Sequence, residues 1–223
     1  MAGLKPDAVV IVATIRALKY NGGVEKKDLN QENLEALKAG VPNLLKHVEN
    51  ITDVFKVPAV VAVNQFPADT QAELELVQEE CRRLGVNVVL SEVWAKGGEG
   101  GKALATEVIR LIEEGENNFR FAYDLDMGIA EKIEAIAKKV YGADGVDFAA
   151  PAIKEIKNLE SLGYGNVPIC MAKTQYSLTD DPKVLGRPKG FKISVRNVKI
   201  SAGAGFIVAL TGEIMTMPGL PKR

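Results

Sequence analysis

Apolar and polar residues follow one another in blocks along the first part of the chain. Ala8–Thr14 (AVVIVAT) and Val57–Val63 (VPAVVAV) are almost uninterrupted apolar runs that are rich in β-branched residues. Runs of this kind are typical of strands that are buried on both faces of a sheet. Val86–Trp94 predicts a third strand, and the basic, glycine-containing segment Ile15–Lys27 is expected to be a surface connection.

Segments with helical periodicity lie between these predicted strands. Apolar residues recur with a period near 3.6 after Asn30, and Pro42 within that segment predicts a kink or two abutting helices. A further helix is expected over Thr70–Leu84, where Thr70 and Glu73 have the spacing of a capping box. Another is expected over Ala103–Glu114. Strands that alternate with helices predict an α/β fold with a mostly parallel sheet flanked by helices over residues 1–116.

A different pattern begins at residue 117 and predicts a second, smaller α/β part over residues 117–223. Its shorter apolar segments and longer polar loops place a domain boundary near residue 117. The predicted strands are 119–123, 167–172, 191–200 and 205–217, and the predicted helices are 128–141 and 151–162.

Composition narrows the classes of function. The formal net charge is −1, which gives no support for binding to nucleic acid, and no apolar run reaches the roughly 18 residues that span a membrane. The first residues contain no signal-peptide core, and Cys81 and Cys170 are expected to be buried free thiols, so we expect a cytoplasmic protein. The chain starts almost directly with a strand and stops in a loop, which predicts a fragment of a longer protein, with natural termini and short tails as the alternative.

Two aromatic residues form the clearest candidate binding site. Phe66 and Trp94 each follow an apolar strand, and the carboxyl ends of neighbouring parallel strands lie at the same edge of a sheet. Two rings at such an edge are able to clamp a flat heterocycle. Spacing alone leaves open the alternative that both are ordinary core aromatics.

Polar residues at the same predicted edge are further candidates. Asn64 ends a strand and offers hydrogen-bond donors and an acceptor to a base edge, although an asparagine that caps a turn is the alternative. Arg16 and Lys19 follow the first strand, where they would reach a phosphate or a carboxylate. Solvated surface charge is the alternative for both.

The glycine-rich segment after Trp94 departs from a phosphate loop. That motif requires glycine where this chain has Lys96, and serine or threonine where it has Ala103. Gly97 and Gly98 still offer backbone N–H groups for a weak anion site. His47 is the only histidine and is expected on a solvated helix face, so we assign no catalytic residue and no metal ligand.

Longer segments of the sequence add a resemblance to a known family. The chain resembles the C-terminal portion of formate–tetrahydrofolate ligase (10-formyltetrahydrofolate synthetase), with the N-terminal phosphate-loop portion missing. The match covers nearly the whole chain in family order. It rests on DAVVIVATIRALKYNGG, PAVVAVNQFPADTQAE, VWAKGGEGG, FAYDLD, YGADGV, VPICMAKTQYSLTDDP and SAGAGFIVALTGEIMTMPGLPKR.

The resemblance implies a function and a set of site residues. The family forms 10-formyltetrahydrofolate from formate, tetrahydrofolate and ATP (with Mg) through formyl phosphate, assembles as homotetramers and binds no cofactor covalently. It implies that Phe66 and Trp94 sandwich the pterin ring, with Leu90 nearby and Asn64 at the base of the site. A fragment without the phosphate loop is expected to be inactive alone. A non-catalytic pterin- or purine-binding module and an oligomerisation scaffold are the alternatives.

Overall fold

The computed structural model describes residues 3–214. By internal contacts the chain divides into two compact units. The first unit comprises the described residues up to Arg120 together with Leu185–Arg187, and the second unit comprises Phe121–Val184 and the described residues from Pro188 onward. The α/β fold predicted from the sequence is confirmed, because each unit contains a sheet and helices.

The first unit contains a sheet of three parallel strands in the order β1-β2-β3. These strands are β1 (Val9–Ala13), β2 (Ala59–Asn64) and β3 (Asn87–Ser91). Asn64 lies beside Ser91 in the register of β2 and β3. All three strands therefore end at one edge of the sheet, which we call the carboxyl edge.

Five helices belong to the first unit. They are α1 (Ile15–Asn21), α2 (Leu34–Glu49), α3 (Gln71–Arg83), α4 (Val93–Lys96) and α5 (Lys102–Glu114). Apolar side chains from α1, α2 and α3 pack with Val61 and Val63 in one buried cluster. The helix α5 contacts β2 and β3. No helix among residues 3–214 combines the length and the apolar character that a membrane crossing requires.

The predicted surface connection after β1 was wrong, and of the two alternatives predicted at Pro42 only the two abutting helices are excluded. The expected surface connection after β1 begins with α1, because the side chain of Thr14 caps the backbone N–H of Ala17 and starts a helix there. The helix α2 runs through Pro42 as one element, with no break into two helices. It is followed by a π-helical turn, Asn50–Val54.

The prediction for α3 was confirmed at its start. Thr70 and Glu73 form the capping box, in which each side chain accepts a hydrogen bond from the backbone N–H of the other residue. Gly85 follows the helix with φ at 71°, a conformation that glycine adopts without strain. Leu84, which the periodicity placed in the core, is exposed.

The two long apolar runs of the first unit form strands in different environments. The five residues Ala59–Val63 of the central strand β2 are all buried, as predicted. By contrast, β1 lies at the edge of the sheet, and Val12 is 62% exposed there. Its other face, with Ile11 and Ala13, packs on the core, so burial on both faces was wrong for β1.

Two glycines allow α1 and α2 to approach closely. A Cβ atom on Gly22 would lie 1.8 Å from the carbonyl oxygen of Ala36, and a Cβ atom on Gly40 would lie 1.8 Å from that of Leu18. Both distances are far inside van der Waals contact. Only glycine therefore permits the observed packing of these helices.

The second unit contains a mixed sheet of four strands in the order β4-β6-β7-β5. Its strands are β4 (Gly145–Phe148), β5 (Ile169–Ala172), β6 (Lys192–Ser201) and β7 (Phe206–Thr211). The strand β4 pairs parallel to β6 and β5 parallel to β7, whereas β6 and β7 are antiparallel. Its helices are α6 (Ile129–Ile136), which continues as a π-helical turn over Ala137–Tyr141, and α7 (Ala150–Ser161).

Fewer elements of the second unit were predicted correctly. The predicted strand over 119–123 is not a strand, and the strand β4 was not predicted. The last residues of the strand predicted over 205–217 lie outside the described residues. Cys170 is exposed, which contradicts the expected burial, whereas Cys81 is buried in the first unit as expected.

Candidate functional site

The turn after β2 holds Phe66 at the carboxyl edge. The backbone N–H of Phe66 donates a 2.8 Å hydrogen bond to Oδ2 of Asp69, and the backbone N–H of Asp69 donates to the carbonyl oxygen of Phe66 at 3.0 Å. These reciprocal bonds close the turn at both ends. The phenyl ring, which is half-buried, is therefore carried by a short hydrogen-bonded loop rather than by the strand itself.

Trp94 lies beyond the end of β3, which corrects its predicted place in a strand. The strand stops at Ser91, and Trp94 belongs to the short helix α4. The loop behind this helix closes tightly, because the N–H of Glu92 donates to the carbonyl oxygen of Gly100 at 3.2 Å. A Cβ atom on Gly100 would lie 2.5 Å from the backbone of Glu92, so the glycine-rich sequence is needed for this closure.

The two rings lie together, although they were predicted from separate strands. Their centroids are 6.2 Å apart and their planes are inclined by 45°. This is the contact range of tilted aromatic pairs. The Trp94 side chain is 72% exposed, so the alternative of two ordinary core aromatics does not describe this pair. Because the two rings contact each other directly, a third flat ring fits between them only if they move apart.

Leu90 and Asn64 belong to the strands beneath these rings. Leu90 is half-buried near the end of β3 and packs against the core of the first unit. Asn64 is the last residue of β2 and is half-buried. Both residues therefore lie at or next to the carboxyl edge, where the rings are also found.

A buried ion pair joins the last turn of α1 to the first turn of α3. Nζ of Lys19 is 2.8 Å from Oε1 of Glu73, and these side chains are 1% and 0% exposed. The same ammonium donates to the carbonyl oxygen of Gln31 at 2.7 Å. The carboxylate also accepts hydrogen bonds from the N–H groups of Asn33 and Thr70, both at 3.1 Å. The charge of Lys19 is thus already compensated within the fold.

The pKa of Glu73 reflects this environment. Burial by itself would raise the pKa of the carboxyl group, but hydrogen bonds from Lys19 and from the N–H groups of Thr70 and Asn33 outweigh it, and the pKa lies below its ordinary value. Glu73 is therefore an ionised partner that ties α3 to α1 and to the start of α2.

The other candidate anion ligands differ in what they offer. Arg16 is exposed near the start of α1. Gly97 and Gly98 are exposed in a 3-10 turn, but the N–H of Gly97 already donates to the carbonyl oxygen of Val93. Of the predicted set, Arg16 is the one whose charged group is exposed at this edge.

Two residues that organise this edge were not predicted as part of the site. Asp69 was not singled out in the sequence, and Glu73 was identified only as part of a capping box. The spacing Phe-x-x-Asp is the signal that would have indicated the first. The partnership of Glu73 with Lys19 crosses 54 positions of sequence and has no local signal.

A comparison with known protein families shows which family the chain belongs to. The family model described as formate–tetrahydrofolate ligase matches residues 1–223, which is the whole chain. The chain belongs to the formate–tetrahydrofolate ligase family. The resemblance seen in the sequence motifs is therefore confirmed, and membership of this ligase family implies formate, ATP and tetrahydrofolate as substrates.

Proposed function

We propose that this chain supplies the wall of a formate–tetrahydrofolate ligase on which the pterin ring of tetrahydrofolate stacks. The observation that carries the proposal is the contact of Phe66 with an exposed Trp94 at the carboxyl edge, with ring centroids 6.2 Å apart. Ligands of open α/β sheets bind at this edge, and aromatic faces bind flat heterocycles through their large apolar area.

The proposed reaction explains why such a wall is needed. Formate is a poor electrophile, so ATP, bound with Mg, first transfers its γ-phosphoryl group to formate, giving formyl phosphate and ADP. The N10 amine of tetrahydrofolate then attacks the formyl carbon, the C–O bond to phosphate breaks, and the amine loses a proton. Stacking of the pterin between Phe66 and Trp94 holds that amine in place, with Leu90 and Asn64 beneath the ring.

Activation of formate requires parts that this chain does not supply by itself. The segment Lys96–Ala103 departs from a phosphate loop at its first and last residues. We therefore expect the purified chain to form no 10-formyltetrahydrofolate from ATP, formate and tetrahydrofolate. Clear turnover by the chain alone would contradict this part of the proposal.

Binding is tested separately from turnover. Trp94 is the only tryptophan, so its fluorescence reports on this site alone. Titration with tetrahydrofolate should quench the emission, and Phe66→Ala should weaken the binding. The matched control is Tyr176→Ala, which removes an exposed aromatic side chain from the second unit.

The alternatives predict other results in the same titrations. Quenching by ATP but not by tetrahydrofolate would favour a purine-binding module. No response to either ligand would favour a scaffold that serves assembly only. A homotetrameric assembly and a cytoplasmic location are taken over from the family, and analytical ultracentrifugation of the purified chain tests the former.

A further inference from the structure

Asp69 uses only part of its hydrogen-bonding capacity within the protein. Its Oδ2 atom accepts the N–H of Phe66 at 2.8 Å. Among residues 3–214, no donor reaches its Oδ1 atom, and no buried side-chain oxygen in that range lacks a partner. Since Asp69 is half-buried, its second oxygen is accessible from solvent beside the turn that carries the phenyl ring.

The charged groups around Asp69 are few and defined. Burial raises the pKa of its carboxyl group, the hydrogen bond from Phe66 lowers it, the nearby charge of Glu73 raises it, and the positive charges of Lys19 and Arg16 lower it. The net direction is upward. A half-buried carboxylate with an unused oxygen gains from a donor supplied by a ligand, because its own solvation is incomplete.

We propose that Oδ1 of Asp69 accepts a hydrogen bond from an N–H group on the edge of the heterocycle that stacks on Phe66 and Trp94. Asp69 thereby selects rings whose edge carries amino or ring N–H donors. This inference rests on the proposed function and names the part of the ligand that the site reads.

The chemistry of tetrahydrofolate matches this acceptor. Its pterin ring presents a 2-amino group and the neighbouring N3–H, which are both donors. An ionised carboxylate only accepts hydrogen bonds, and a charge-assisted bond is about twice as strong as a neutral one. The turn bond to Phe66 holds the carboxylate of Asp69 in position, so little side-chain freedom is lost when a ligand binds.

The alternative is that Asp69 only closes the turn. Asparagine separates the two roles, because its side-chain oxygen still accepts the N–H of Phe66 while its amino group faces the ligand as a donor. Asp69→Asn therefore preserves the turn and places a hydrogen-bond donor, instead of an acceptor, opposite the edge of the ring. The matched control is Glu75→Gln, an exposed carboxylate on α3 that accepts a hydrogen bond from the side-chain amide of Gln71.

The experiment compares two ligands by Trp94 fluorescence. The unaltered chain, Asp69→Asn and Glu75→Gln are each titrated with tetrahydrofolate and with its 2-desamino analogue. The unaltered chain should bind the analogue about 10- to 100-fold more weakly, the value of one charge-assisted hydrogen bond. Asp69→Asn should lose a similar factor for tetrahydrofolate and should distinguish the two ligands by less than about threefold.

Each outcome of these titrations supports or overturns the proposed role of Asp69. Equal affinities of the unaltered chain for both ligands, or unchanged discrimination by Asp69→Asn, would overturn the role of Asp69 and leave the stacking wall standing. No response of the unaltered chain to tetrahydrofolate would overturn the proposed function and this inference together. The ligand comparison in the unaltered chain remains decisive even if Asp69→Asn fails to fold.

Discussion

The aromatic pair and the buried ion pair of the first unit have opposite surroundings. Phe66 and Trp94 meet where β2 and β3 have ended, and the indole is 72% exposed. Lys19 and Glu73 belong to helices that follow β1 and β2, and both side chains are almost completely buried. We infer that the two pairs have different roles. The exposed aromatic pair binds the ligand, whereas the buried ion pair stabilises the packing of the helices.

The largest expected effect comes from breaking the buried pair. Glu73→Gln removes the charge opposite Lys19 and leaves a buried ammonium without its counterion. We expect a loss of about 3–5 kcal/mol in the free energy of unfolding, measured by urea denaturation. The matched control is Glu79→Gln on the same helix, which breaks an exposed pair with Arg83 and should cost about 0.3–0.5 kcal/mol.

The next effect concerns the exposed pair. Trp94→Ala should weaken tetrahydrofolate binding by about 1–3 kcal/mol in a context that binds folate, because one stacking surface is lost. Isothermal titration calorimetry measures the affinity without the fluorophore. The free energy of unfolding should change by less than about 0.5 kcal/mol, since the indole is largely solvated. A large loss of stability with unchanged affinity would contradict these different roles.

The pH dependence of the free energy of unfolding should distinguish the buried ion pair further from the aromatic pair. The folded-state pKa of Glu73 lies below its unfolded value, so its contribution to stability is present above the unfolded pKa and is lost as the pH falls through the folded pKa. The difference in unfolding free energy between the unaltered chain and Glu73→Gln should therefore shrink below about pH 4.5. A difference that stays constant into that range would show that the charge of Glu73 is not the cause.

The smallest change is expected when both charges are removed together. Lys19→Met with Glu73→Leu replaces the ion pair by apolar side chains of similar size. Buried pairs exchanged in this way are often neutral, so we expect urea denaturation to give an unfolding free energy within about 1 kcal/mol of the unaltered chain. A loss as large as that of Glu73→Gln would indicate that the hydrogen bonds to Asn33 and Thr70 stabilise more than the charge pair does.

Local signals predicted much of the first unit. The apolar run of β2 and the capping box of Thr70 and Glu73 each depend on neighbouring residues, and both were confirmed. The open face of β1 was not predictable in the same way. Val12 has the same local character as the valines of β2, but it lies on the face of β1 opposite the core cluster, whereas α5 contacts β2 and β3.

Local sequence signals also predicted only part of the candidate site. Phe66 and Trp94 were identified from their positions after strands, yet the helix that carries Trp94 was missed because strand-forming residues continue past Ser91. Lys19 was predicted to reach an anion at this edge, with solvated surface charge as the alternative, and its local sequence gave no sign of burial. Its burial depends on Glu73, which is distant in sequence, and on the carbonyl oxygen of Gln31.

The close contact of α1 with α2 limits which substitutions the first unit tolerates. Gly40 admits the carbonyl oxygen of Leu18, and Gly22 admits that of Ala36, at distances that leave no room for even one methyl group. Gly40→Ala would therefore force the axes of α1 and α2 apart. Because Arg16 belongs to α1, Gly40→Ala would also displace its guanidinium at the carboxyl edge.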